Sequence, residues 1–178
     1  MLVAAFRGDP SLRYFFPEES AYRVQAAEFF GYLFDKRVVL DTVWCTADLS
    51  AAALWTPPAA SVNVDHRNLA NELRPSLVEA IGRDASARLD AYEAAVDQLL
   101  PADHNHWYLG VLGTNPSSSR NGYGRAVMDA GLALARSEHV DAYLETTNLA
   151  NVAFYERRGW TVVGHVDYPL PTWALRSQ

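Results

Sequence analysis

Along this chain the spacing of hydrophobic positions changes several times, and each change marks an element. Residues 2–6 read as the tail of a short helix closed at Gly8-Asp9-Pro10. Ser20 caps a second helix running to about Phe34, with Ala26, Ala27, Phe30, Leu33 and Phe34 on one face. The period then shortens. Residues 38–46 and 51–56 read as two strands joined by a turn at Asp48-Leu49-Ser50, and Pro57-Pro58 ends the second. Cys45, mid-strand, is expected inside the core. Helical spacing returns over residues 66–100, as two helices divided near Gly82. Leu89, Tyr92, Val96 and Leu99 stripe the second, and Pro75 breaks the first or sits in its opening turn. Residues 107–114 read as the central strand and residues 122–137 as the helix behind it. Residues 141–146 form the next strand, parallel to it through a right-handed crossover. A helix over residues 148–158 stops at Gly159, and residues 160–166 and 172–176 close the sheet as an antiparallel pair.

Composition narrows the class. The 178 residues suffice for one domain, 1–178, with a sizeable core. An apolar fraction of 49% and a charged fraction of 20% fit an ordinary globule. A net charge of −6 and a pI near 5.3 leave no electrostatic footprint for nucleic acid or an anionic membrane. No apolar run approaches the ~18 residues of a membrane helix. The opening MLVAAFRGDP meets Arg7 and Asp9 too early for a secretory signal. The single Cys45 admits no internal disulfide and suits a reducing compartment, so a cytoplasmic location is expected.

The candidate chemistry begins in WYLGVLGTNPSSSRNGYGRAVMDAGLALAR, residues 107–136. Gly122 and Gly124 leave a helix N-terminus without side chains guarding its amides, and Arg120 and Arg125 flank it. That combination fits a phosphate or pyrophosphate. A dinucleotide fingerprint would place Gly or Ala where Val127 stands, and the loop over residues 112–122 is too long for its tight turn, although Glu145 lies at a tempting distance. A nucleotide P-loop needs Lys-Ser/Thr where Arg125-Ala126 stands.

The stretch resembles instead the acyl-coenzyme A loop of the GNAT acetyltransferases: a strand, a Pro, then a basic loop ending in Gly-x-Gly at a helix start. LETTNLANVAFYERRGW, residues 144–160, is similar to the family's second motif, and the likeness is strong over about the last 75 residues. VWCTADLSAAALWTPP, residues 43–58, and the helical insertion at 66–100 resemble the puromycin N-acetyltransferase branch. The resemblance implies an α/β GNAT fold, a mixed and mostly antiparallel sheet splayed between its two parallel central strands, with helices on both faces. The family's first strand is not visible, which would leave the next strand as an exposed edge.

The resemblance also implies roles. Leu112, Gly113 and Thr114 would hydrogen-bond the pantetheine arm of acetyl-CoA, and Arg120, Asn121, Gly122, Tyr123, Gly124 and Arg125 would hold its pyrophosphate. Ser119 and Arg120 depart from the family, which often has Gln or Arg and then Gly at these places. Tyr155 matches the tyrosine beside the thioester sulfur, a phenol able to protonate the leaving thiolate. Asn148 and Asn151 both fit the asparagine contacting the coenzyme A arm, with Asn151 at the puromycin-branch spacing. Glu145 stands where some members keep a carboxylate that takes the amine's proton, and His106 is the other base for that task. His104 and His106 lack a third ligand nearby, so no metal is expected. Trp44 and Trp55 either pack the sheet or stack on an aromatic acceptor. The implied reaction is direct acetyl transfer from acetyl-CoA to the amine of a small, antibiotic-like molecule, by a monomer or homodimer acting on neither nucleic acid nor membrane. An acyl-CoA sensor or inactive GNAT-like module, and a protein N-terminal or lysine acetyltransferase, remain open alternatives.

Overall fold

The computed structural model describes residues 1–62 and 64–178, with side chains at all of these but 60 and 64–67. Five helices dominate the first half: α1 (Leu2–Ala5), α2 (Pro10–Phe15), α3 (Glu19–Val38), α4 (Val64–Ile81) and α5 (Arg83–Asp97). Between α3 and α4 lies the hairpin β1 (Val43–Cys45) and β2 (Ala51–Thr56). The second half alternates: β3 (Trp107–Thr114), α6 (Tyr123–Ser137), β4 (Ala142–Thr146), α7 (Leu149–Glu156), β5 (Thr161–Val166) and β6 (Thr172–Ser177). The strands form one sheet in the order β1-β2-β3-β4-β6-β5, and only the β3–β4 pair is parallel.

Each face of the sheet has its own core. One face carries Ala52, Leu54 and Val111 against the aromatic cluster of Phe15, Phe16, Phe29, Phe30 and Tyr92 from α2, α3 and α5. The other carries Ala53, Trp55, Trp107, Leu109 and Leu144 against Val127, Met128 and Leu132 of α6 and Val152 of α7. The period-2 pattern AAALWT thus serves both layers, and burial of a residue such as Leu54 or Leu144 contributes about 1.5–3 kcal/mol. The alternation breaks once. Trp55 faces Leu109 but Leu54 faces Val111, which leaves Gly110 as an extra residue in β3. This bulge moves Val111 to the helical face that Tyr108 shares, and it increases the local twist.

Several expectations are corrected. The helix starting near Ser20 does not stop at Phe34; α3 runs to Val38, and the strand expected over 38–46 shrinks to Val43–Cys45. The physical reason is Arg37. Its side chain turns inward to Leu33 O and Thr56 Oγ1, holding another helical turn together, while Val38 and Val39 stay 41% and 46% exposed. The buried face of α3 is Tyr22, Ala26, Phe29, Phe30, Tyr32 and Arg37; Ala27 and Phe34 face solvent. Cys45 is exposed rather than in the core, because β1 is an edge strand. Among the described residues no strand precedes α1, and the three-residue β1 keeps that edge short. Pro75 lies inside α4, which continues through it, and the side chain of His66, the expected start of that helix, lies outside the described residues. Among the described residues no helix is long and apolar enough to cross a membrane.

Candidate active site

The parallel strands part just beyond the bulge. Their last paired residues are Leu109 and Leu144. From there β3 stays with β2, pairing Leu112 with Ala53, Gly113 with Ala52 and Thr114 with Ala51. β4 stays with β6, pairing Glu145 with Ala174 and Thr146 with Trp173. A wedge opens between them, and among the described residues the β4-facing backbone of 110–114 has no strand partner. Such an edge can receive one further extended chain. Leu112 is half-buried against the α6 layer, and Gly113 lies under α1, where a Cβ would stand 2.5 Å from Leu2.

Beyond Thr114 the chain turns through Pro116–Ser118, held by Asn115 Oδ1 accepting from Ser117 N at 3.2 Å. Arg120 and Gly122 then take left-handed φ values of 69° and 80°. Gly122 is the N-cap of α6 and offers no side chain to the first-turn amides, and no acidic residue stands in that turn. The amides of Tyr123, Gly124 and Arg125 therefore point outward without intrahelical partners, at the positive end of the helix dipole. Nothing would crowd a Cβ at Gly122, whereas one at Gly124 would meet Thr114 Oγ1 at 2.8 Å. The helix start is thus seated directly on the end of β3. Arg120, Asn121 and Arg125 are exposed around it, with Arg125 braced by Asp129 at 3.1 Å. An uncapped helix N-terminus with two arginines fits an anionic diphosphate.

The other side of the wedge is a cavity of about 820 Å³ between α2, α3, α5 and the sheet. Tyr108, Glu145, Asn151 and Tyr155 all border it, the last two reaching it from α7. Tyr108 Oη donates to Glu145 Oε2. Burial raises the Glu145 carboxyl to about 7, against the opposing pull of the Tyr108 hydroxyl and the Arg37 charge. Burial, with the Glu145 charge, also pushes the Tyr155 phenol well above its ordinary value, so it keeps its proton at neutral pH. Its ring is wedged edge-on against Phe154 and Trp160.

The two asparagines separate. Asn148 Oδ1 accepts from Ala150 N at 3.0 Å as the N-cap of α7, whereas Asn151 Nδ2 donates to Thr146 Oγ1 at 3.3 Å and borders the cavity. His106 is buried beside the Tyr143 ring, its Nδ1 without a partner; burial and neighbouring His104 lower its pKa, so it is neutral at pH 7. It borders the same cavity as Glu145. His106 immediately precedes β3, while Glu145 follows the last parallel pair, Leu109 with Leu144. Trp55 lies on the opposite face, its indole filling the space over Gly131 of α6, so it packs the core and does not meet an acceptor in the cavity. Trp44 packs against the same layer. Among the described residues no three His, Cys, Asp or Glu side chains gather as a metal set.

Two cavity residues escaped the sequence analysis. Tyr108 had a signal: it alternates with Trp107 and Leu109 and runs parallel to the strand of Glu145, which puts both polar groups on one face. Arg37 had none, because Lys36-Arg37 at a helix end ordinarily reads as a solvated pair.

Residues 86–160 match the model of the acetyltransferase (GNAT) family. Over the whole chain the fold is similar to a Corynebacterium glutamicum structure described as histone acetyltransferase HPA2 and related acetyltransferase, with TM-score 0.69 and 23% identity, covering 99% of this chain and 86% of that one. It is also similar to the polyamine N-acetyltransferase of Drosophila melanogaster, with TM-score 0.60 and 16% identity, covering 98% and 89%. A mycothiol acetyltransferase of Propionibacterium freudenreichii is 43% identical over 56 residues; these are 30% of this chain and span only 18% of that protein. The fold is therefore the GNAT fold, a mixed six-stranded sheet with helices on both faces, and residues 86–160 are the part that matches the GNAT family model.

Proposed function

We propose that this chain transfers the acetyl group of acetyl-CoA to the amine of a small molecule, directly, within a ternary complex. The observation that carries the reading is the succession of three features along β3 and the wedge beside it. The uncapped start of α6 is seated on the end of β3, the unpaired edge of β3 runs from there to the cavity, and Glu145 and Tyr155 border the cavity where the strands part. In this assignment the amides of Tyr123, Gly124 and Arg125, with Arg120 and Asn121, hold the pyrophosphate. Leu112, Gly113 and Thr114 pair with the pantetheine as a strand would, and Asn151 contacts the same arm.

The chemistry then needs two proton movements. The amine nitrogen attacks the thioester carbonyl and its proton passes to Glu145, whose value near 7 suits a base at neutral pH. The carbon–sulfur bond breaks, and Tyr155 gives its proton to the departing thiolate. His106, neutral and bordering the same cavity from just before β3, is the second candidate for that base. The helical cover of α2, α3 and α5 over the cavity favours a compact acceptor over a protein tail. The likeness of residues 43–58 and 66–100 to the puromycin branch adds an antibiotic-like amine as the finer reading. The mycothiol relative matches over too short a segment for its acceptor to be carried over.

The test is incubation of the purified chain with acetyl-CoA and a panel of small amines and peptides, following CoA release and product mass. The reading expects steady CoA release and a gain of one acetyl on a small amine. Acetylation confined to protein N-termini or lysines would overturn it, and tight acetyl-CoA binding without turnover would point to a sensor.

A further inference from the structure

The cavity contains a cation that the proposed chemistry leaves unused. Arg37 stands in the last turn of α3, is 5% exposed, and borders the cavity. Its Nη1 donates to Leu33 O at 3.0 Å and its Nε to Thr56 Oγ1 at 3.1 Å, two neutral partners. Its Nη2 lies at the bulge, 2.6 Å from where a Gly110 Cβ would sit; the edge of the Tyr108 ring is 3.2 Å from the same point. Only glycine leaves room for the guanidinium there. Among the described residues no carboxylate stands within ion-pair distance of it.

The other charged groups around the cavity have other neighbours. Glu93 meets Arg74 at 3.4 Å, Asp9 caps α2 through the amides of Ser11 and Leu12, and Asp97 is exposed. Lys36 lies over the Tyr32 ring at 4.6 Å. Glu145 is engaged by the Tyr108 hydroxyl and, with a carboxyl near 7, does not fully neutralise the arginine. A buried guanidinium cannot shed its proton at neutral pH, and burying a charge without its opposite is expensive. A guanidinium edge left facing a cavity matches a carboxylate.

We propose that Arg37 receives a carboxylate carried by the acceptor, so that this site acetylates amino-carboxylic acids. The amine then faces Glu145, the carboxylate faces Arg37, and the apolar body lies against Phe15, Phe29 and Phe30. Tyr108 lies between the two poles: its ring edge and the Arg37 guanidinium both crowd the same point at Gly110, and its hydroxyl donates to Glu145. The inference rests on the acetyltransferase reading. An arginine acting on the thioester oxygen instead would change turnover for every amine alike.

The experiment is initial-rate kinetics at saturating acetyl-CoA with two matched pairs: L-phenylalanine against phenethylamine, and L-leucine against 3-methylbutylamine. The expected kcat/KM ratio within each pair is about 10² in favour of the acid, the worth of one charged hydrogen-bonded contact. In Arg37→Gln the ratio falls below about 3, and in Arg37→Lys it is intermediate. Damage to the fold lowers both members of a pair together and leaves the ratio unmoved, and the wild-type ratio alone can contradict the inference. Equal or better turnover of the plain amines, no acetylation of any of the four, or an unchanged ratio in Arg37→Gln would each overturn it. Failure to bind acetyl-CoA at all would instead contradict the acetyltransferase reading.

Discussion

Glu145 and Tyr155 share one burial environment and respond to it in complementary ways. Burial disfavours charge, so the carboxyl rises to about 7 and the phenol stays protonated. One group is left able to accept a proton near neutrality and the other able to give one. Replacing Tyr155 by Phe removes the donor while keeping the ring against Trp160. Turnover should fall by ~10²–10⁴ with acetyl-CoA affinity retained, as measured by steady-state kinetics beside calorimetry. Glu145 gives a pH signature. Below about 7 it is protonated and cannot act as base, so kcat/KM should rise with pH and level off above about 7. Its effect on stability has the opposite slope. The folded chain holds this proton more tightly than the unfolded chain, whose carboxyl titrates near the ordinary 4.5. That contribution is present below about 4.5 and is lost as pH rises through about 7. Glu145→Gln should abolish the rising limb of the rate profile and flatten the denaturant midpoint over the same window.

At the scale of elements, two glycines decide how α6 meets the sheet. Gly131 leaves room for the Trp55 indole, and Gly124 seats the helix start against Thr114. Gly131→Ala forces a methyl into a closed ring contact and should cost about 1–3 kcal/mol, a drop of several degrees in Tm by calorimetric melting. Gly124→Ala displaces amides assigned to the pyrophosphate and should weaken acetyl-CoA about tenfold in a titration, with Tm changed far less. Much of this half of the molecule was legible. Residues 107–160 alternate strand and helix periods cleanly, and the glycine loop lies where those periods change. The N-terminal half was less legible for identifiable reasons. The run Val38-Val39-Leu40 has the composition of a strand, but one inward arginine keeps part of it helical. Cys45 is placed by the order of strands, which periodicity does not report. Gly110 looked like an ordinary strand residue; its bulge appears only when β2 and β3 are aligned. Tyr108 and Arg37 belong to the site through pairings between distant segments.

In the whole molecule, two cores grip the two halves of a sheet that comes apart in the middle. β2 and the bulged β3 are held by α6 on one side and the helical aromatic cluster on the other; β4 is held by β6. The wedge between them follows from that packing; its open edge on β3 runs from Gly110–Leu112, which border the cavity, to Thr114, on which the helix start is seated. On this reading the helix start holds the diphosphate and the open edge of β3 holds the arm of a coenzyme A thioester. The most direct measurement is a calorimetric titration of the intact chain with acetyl-CoA, repeated with Gly124→Ala. The account predicts saturable binding at one site per chain, a raised Tm, and clear weakening in the variant. Absence of heat and of any melting shift at saturating acetyl-CoA would contradict it.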